Sequence, residues 1–334
     1  MYPFGFGLSY TDFEIEPYDV IIDDSIVNVY VRVKNIGKTT GKEVVQCYIS
    51  SPDGKLEKPY QDLCAYAKTA ELLPERSEDI ALSFDIADMA SYDEENAQYI
   101  LEAGKYVVRV GNSSRNTHVA CVIEIKEEIV CAKATSRLCV KSDALKLISK
   151  QGIAPYTYEN EQKEIESATV YEMDSSAIET VILAKYEDTP DVELTPKNDG
   201  VLYMLKDVYD GNATVEDVVA QFSDAELADV LNGVIYEGTN ANANVGSMAI
   251  KVRGAAGELW SSEKYKIPTN AVADGPGGIR LSIFGTPEES DTDVCHAMVA
   301  YPSGTCFANT WNSNIAYEFG ACVRDDLEYS DIEG

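Results

Sequence analysis

Ile26-Val-Asn-Val-Tyr-Val-Arg-Val33 alternates apolar and polar residues, then breaks at Asn35-Ile-Gly37. A period of two is the signature of a strand with one buried face. Outward from it, Glu43-Val-Val-Gln-Cys-Tyr-Ile49, Ile80-Ala-Leu-Ser-Phe84, Tyr99-Ile-Leu101, Gly104-Lys-Tyr-Val-Val-Arg-Val110 and Val119-Ala-Cys-Val-Ile-Glu-Ile125 read as further strands. Short strands separated by turn residues predict an antiparallel β-sandwich over residues 12–126. The aromatic residues Tyr48, Tyr60, Tyr66 and Tyr92 pose two readings, a sugar-stacking surface or core and corner tyrosines. The second is the commoner role in a sandwich, so scaffold is the favoured reading for this domain.

With 334 residues the chain has room for two domains with real cores. A formal net charge of -30 excludes nucleic acid and anionic membrane surfaces as partners. No apolar run reaches the roughly 18 residues of a membrane span, and no signal peptide opens the chain, so a cytoplasmic location is expected. Of the eight cysteines, Cys47, Cys121 and Cys139 sit in strand-like apolar runs, where reduced core thiols belong. There is no CxxC pair, and the only histidines are His118 and His296. Neither a zinc site nor a histidine-activated nucleophile is expected, and no cofactor is implied. Asn112-Ser-Ser and Asn212-Ala-Thr match the glycosylation pattern but read as ordinary loop residues.

Residues 127–205 read as a connector. Asp143 to Lys150 has helical spacing, and Thr180-Val-Ile-Leu-Ala184 is compatible with a strand. Glu159, Glu161, Glu164 and Glu166 suit a solvated face better than a metal or catalytic cluster. Further on, Thr214-Val-Glu-Asp217 and Ser223-Asp-Ala-Glu226 both fit the capping box, in which a hydroxyl and an acid three residues on satisfy the first free N–H groups of a helix. Gly254-Ala-Ala-Gly257 reads equally as a pocket border or a plain connection.

Ala271-Val-Ala-Asp-Gly-Pro-Gly-Gly-Ile-Arg280 is the stretch that carries chemistry. Ala271 to Ala273 reads as a short buried strand that ends at an acid. Pro276 lacks an N–H, and Gly277 and Gly278 tolerate unusual dihedrals, so the chain must turn there before Arg280 returns. An acid and an arginine at the end of a barrel strand sit where parallel α/β folds place ligand contacts. The plainer reading is that Asp274 caps a turn and pairs with Arg280. The glycines lack the lysine and hydroxyl of a phosphate-binding P-loop.

Ala273-Asp-Gly-Pro-Gly-Gly-Ile-Arg280, Tyr301-Pro-Ser303 and Thr310-Trp-Asn312 resemble the opening of the catalytic barrel of glycoside hydrolase family 3, most of whose members are β-glucosidases. Gly41-Lys-Glu-Val-Val-Gln46, Leu72-Leu-Pro74, Ser91-Tyr-Asp93 and Leu101-Glu-Ala-Gly104 resemble, in order, the fibronectin type III-like domain of that family. Met1 to Thr11 is similar to the segment that leads into it from an α/β sandwich domain. The resemblance implies a multi-domain chain: a linker at 1–11, a fibronectin type III-like sandwich at 12–126, a mostly α connector at 127–205, and at 206–334 the first, incomplete part of an α/β (TIM) barrel. This is the order of a permuted subgroup. It further implies that Asp274 and Arg280 bind sugar hydroxyls, since a carboxylate and a guanidinium both match a vicinal diol in bidentate geometry.

A retaining glycosidase needs two carboxyl groups about 5–5.5 Å apart, a nucleophile and an acid/base. The family places its nucleophile in a Ser-Asp-Trp-like motif, and neither Trp260 nor Trp311 has such neighbours; Ser330-Asp331 precedes Ile332. The chain therefore reads as part of a β-glucosidase-like enzyme that acts on β-glucosides or related oligosaccharides. It is expected to be inactive without the missing halves of the same enzyme. The alternative is a non-catalytic fibronectin type III-like interaction or carbohydrate-binding module.

Overall fold

The computed structural model describes residues 2–136, 148–150, 152–183, 195–197, 200–232, 249, 251–252, 255–281 and 298–332. The chain forms two compact units, Met1–Asp188 and Thr189–Gly334.

Ten strands run through the first part of the first unit: β1 (Phe13–Asp23), β2 (Ile26–Asn35), β3 (Val44–Ser50), β4 (Asp62–Lys68), β5 (Ser77–Asp85), β6 (Ser91–Asp93), β7 (Gln98–Leu101), β8 (Gly104–Ser113), β9 (Asn116–Ile125) and β10 (Ile129–Lys133). One antiparallel sheet has the order β1-β2-β5, and another runs β9-β8-β3-β4. The alternation in β2 sends Val27, Val29, Val31 and Val33 into the core, where all four are fully buried. They meet Leu82 and Phe84 of β5, Val45, Cys47 and Ile49 of β3, Val108 and Val110 of β8, and Cys121 and Ile123 of β9. Two inward faces of alternating residues make the β-sandwich that the sequence predicts. Each strand read from the pattern falls on an observed one. Three edge strands within 12–126 escaped it: β1 is interrupted by a register shift between Pro17 and Asp19, β4 is mostly half-buried without a clean alternation, and β6 has only three residues.

The mostly α connector needs correcting. Among the described residues of 127–183 there is one α-helix, α1 (Glu161–Ser167); β10, β11 (Val170–Glu172) and β12 (Val181–Ile182) are strands. β11 pairs in parallel with the free edge of β9, while β10 pairs with β7 and carries β12 in parallel. Met173 and Ile178 complete the core. A sheet edge offers a row of unpaired N–H and C=O groups, and short strands satisfy it. β12 falls within 180–184, the stretch read as compatible with a strand, whereas three-residue β11 shows no period in sequence for the pattern to reveal. Of Asp143–Lys150, read as helical, only 148–150 is described, and it is not helical.

The second unit contains α2 (Leu205–Tyr209), α3 (Val215–Val219), α4 (Asp224–Asn232), the antiparallel pair β13 (Gly257–Glu258) and β14 (Ala271–Val272), α5 (Gly304–Ala308) and α6 (Ser313–Tyr329). Both capping boxes form: Thr214 with Asp217 at α3, and Ser223 with Glu226 at α4. Phe222 packs on Trp260 and on Tyr265, whose fully buried ring also donates its hydroxyl to the Gln221 carbonyl. A small apolar cluster of Val252, Ala255, Ala271, Ile279 and Ile332 sits behind the Asp274 turn, with Val323 and Leu327 of α6 against it.

Candidate functional site

Ala271 is fully buried and anchors the strand that leads to Asp274. After it the chain doubles back: the Arg280 N–H donates to the Asp274 carbonyl at 2.7 Å, and the Gly278 N–H to that of Gly275. Two glycines are required here by space. A Cβ on Gly275 would lie 1.8 Å from the Gly278 carbonyl oxygen, and one on Gly278, whose φ is +114°, would lie 2.2 Å from that of Val299. Backbone cannot yield to such contacts, so only glycine lets the turn close. Tyr301 ties the following stretch to the turn, its N–H donating to the Gly277 carbonyl. Its hydroxyl donates to Asp326 of α6 at 2.8 Å, a bond that pushes the phenol up to about 12.

The turn rims a depression of about 490 Å³ lined by Asp274, Pro276, Arg280 and the three glycines. The two side chains singled out from sequence are brought together: Arg280 Nη2 lies 2.7 Å from Asp274 Oδ2. Both are more than half exposed, so the pair faces solvent instead of filling a core. This contact is the one the plainer, turn-capping reading requires, and it also presents a carboxylate and a guanidinium side by side at one rim. Among the described residues no group of three or more His, Cys, Asp and Glu is arranged to hold a metal ion.

The structure separates the four tyrosines that pose a sugar-stacking reading, Tyr48, Tyr60, Tyr66 and Tyr92. Tyr48 is buried, and Tyr66 and Tyr92 are exposed on different strands. Tyr60 does something else. Its hydroxyl bonds to Glu161 of α1, and its ring lies 5.3 Å from the guanidinium carbon of Arg109. Arg109 is itself buried in β8, donating to Ser50 Oγ, to the Tyr158 hydroxyl and, at 2.8 Å, to Glu161. The reading of Glu161 as part of a solvated face is therefore overturned: the residue is buried and pairs with a buried arginine. Burial alone would raise its pKa. Hydrogen bonds from Thr157 and Tyr60 and the Arg109 charge outweigh that and hold the carboxyl below its ordinary value. Glu164, one turn on, accepts from the Val119 N–H and the Tyr158 hydroxyl. The sequence held a weak signal for this, an arginine at an otherwise apolar strand position, which demands a buried partner.

A second cavity, of about 820 Å³, opens in the first unit between the 50–60 stretch and residues 148–150 and 153–156. Of its lining only Tyr60 stands out in the sequence; the rest is the end of β3 and irregular loops, which leave no periodic trace.

The sandwich defines a fibronectin type III-like domain, and residues 43–114 match the family of that name. Over almost its whole length the chain is similar to β-glucosidases. It is 32% identical to β-glucosidase A of Butyrivibrio fibrisolvens over 98% of this chain and 40% of that protein. It is 29% identical to a β-glucosidase of Ruminococcus albus over 95% of this chain and 30% of that one. A solved β-glucosidase from Paenibacillus barengoltzii superposes with a TM-score of 0.69 at 28% identity, covering 100% of this chain and 34% of the other. The chain is thus a homologue of the glycoside hydrolase family 3 β-glucosidases and carries their fibronectin type III-like domain. It spans well under half the length of these relatives.

Proposed function

We propose that the chain is the part of a retaining β-glucosidase that combines the fibronectin type III-like domain with one wall of the sugar pocket. Asp274 and Arg280 contact the hydroxyls of a terminal β-glucoside. The observation that carries this reading is their shared rim over a depression, in a chain similar to β-glucosidases from end to end. A purely structural turn accounts for the ion pair itself; the depression that the pair rims is what the sugar-binding reading explains in addition. In this reading residues 206–334 begin the catalytic barrel, residues 1–11 are a linker, and the nucleophile and acid/base come from elsewhere in the enzyme. Binding sugar exchanges the carboxylate–guanidinium contact for bidentate bonds to a diol, so the pair holds the substrate without itself breaking a bond. Localisation in the cytoplasm belongs to the same proposal; among the described residues no helix is long and apolar enough to cross a membrane.

The test is hydrolysis of a chromogenic β-glucoside by the 334-residue chain, with Asp274→Ala alongside. No turnover is expected from either. Turnover that disappears in Asp274→Ala would show that the carboxyl pair lies within this chain, and would overturn the division of labour proposed here.

A further inference from the structure

We propose that the cavity in the first unit is a second saccharide site, built from residues other than Asp274 and Arg280. Its volume of about 820 Å³ falls within the range of small-molecule sites. Tyr60, Tyr156, Pro155 and Ile153 give it apolar surface, and Ser50 and Ser51 add hydroxyls. That mixture suits a ligand with an apolar face and a polar edge, which describes a pyranose ring.

The charges in the wall point to a neutral ligand. Lys58 is buried and paired with Glu102. Lys150 pairs with Asp53, and Glu57 accepts from the Ser149 hydroxyl and the Lys150 N–H. Lys58, Lys150 and Asp53 are each ion-paired, so a charged ligand would have to displace a partner from them, and Glu57 is already held by two hydrogen bonds. The net charge of -30 further disfavours an anion.

The aromatic walls are held in place before any ligand arrives. Tyr60 is fixed by its bond to Glu161 and its contact with Arg109. Tyr156 meets Tyr60 edge to face, with centroids 5.0 Å apart at 81°, and the Arg115 guanidinium carbon lies 3.5 Å from its ring centre. Rings fixed in this way lose little entropy on binding. The cavity stands on these observations alone; the choice of a β-glucan oligomer as occupant rests on the proposed function.

The experiment is a titration of the ¹⁵N-labelled 334-residue chain with cellotetraose, following backbone amides. Saturable shifts are expected at Ser50, Ser51, Tyr60 and Tyr156. They should persist in Asp274→Ala, weaken about tenfold in Tyr156→Ala, survive in Tyr156→Phe, and vanish in Ala154→Trp, which fills the cavity. No shift at these amides, or an affinity unchanged in both Tyr156→Ala and Ala154→Trp, would overturn the site. Shifts confined to Asp274–Arg280 would overturn it while leaving the proposed function intact. Shifts at the cavity alone would support it and count against Asp274.

Discussion

The Arg109 guanidinium and the Glu161 carboxylate, 52 residues apart in sequence, form a buried ion pair at 2.8 Å between β8 of the sandwich and α1. A buried charge without a partner is costly, so each residue requires the other. The pair joins α1 to the sheet that forms the fibronectin type III-like domain.

Removing one member should therefore cost more than an exposed ion pair would. Glu161→Gln is expected to destabilise the first unit by about 3 kcal/mol, because Arg109 stays buried and uncompensated. Hydrogen exchange of the β8 and β9 amides measures it. Arg32→Gln, which breaks the exposed Arg32–Asp79 pair, should cost less than about 1 kcal/mol in the same assay.

Acid should attack the same place. Glu161 is held below its ordinary value against the cost of burial, and so is Glu102, where burial is outweighed by Lys58 and the Lys55 N–H. A carboxyl depressed in the fold binds its proton more readily when unfolded. Its contribution is complete above the unfolded value of about 4.3 and disappears as pH falls through the folded one. Denaturation midpoints of the first unit should hold from pH 7 to about 5 and fall steeply below about 4. Glu161→Gln should flatten that fall.

Truncation gives a sharper test of where the first unit ends. A chain ending at residue 126 loses β11 from the edge of β9, loses Met173 and Ile178 from the core, and leaves Arg109 unpaired. Residues 2–126 should unfold at a markedly lower denaturant concentration than residues 2–183. Equal midpoints would mean that the added strands and helix contribute nothing to the domain.

In the second unit, Gly278→Ala should disrupt the Asp274 turn, since its Cβ would meet the Val299 carbonyl at 2.2 Å. Both tryptophans, Trp260 and Trp311, belong to this unit, so their fluorescence reports its unfolding separately from the sandwich. A loss of about 1–3 kcal/mol is expected for the strained position. Gly304→Ala, at a glycine with open space around its Cβ position, is the control.

The sandwich was legible because its strands bury one face, and a period of two survives in sequence as Val27, Val29, Val31 and Val33. The Asp274 turn was legible because proline and paired glycines restrict the backbone to few paths. The edge strand β11 was not, since pairing of three residues depends on a sheet edge assembled from distant segments, whereas β12 lies in the apolar run 180–184 that reads as a strand. Glu161 was misread for a related reason. Its neighbours Glu159, Glu164 and Glu166 suggest a wet face, and only folding brings Arg109 beneath it. The loop-walled cavity at Tyr60 and Tyr156 left no periodic trace at all.

The most direct measurement exchanges this chain for its homologous stretch in β-glucosidase A of Butyrivibrio fibrisolvens, with which it aligns over 98% of its length. β-Glucoside hydrolysis is then assayed with and without Asp274→Ala. The account expects a folded, active chimera in which that substitution lowers kcat/KM about a hundredfold, the loss of charge-assisted bonds to the sugar. A folded, active chimera indifferent to Asp274→Ala would contradict the assignment of this turn to the sugar pocket.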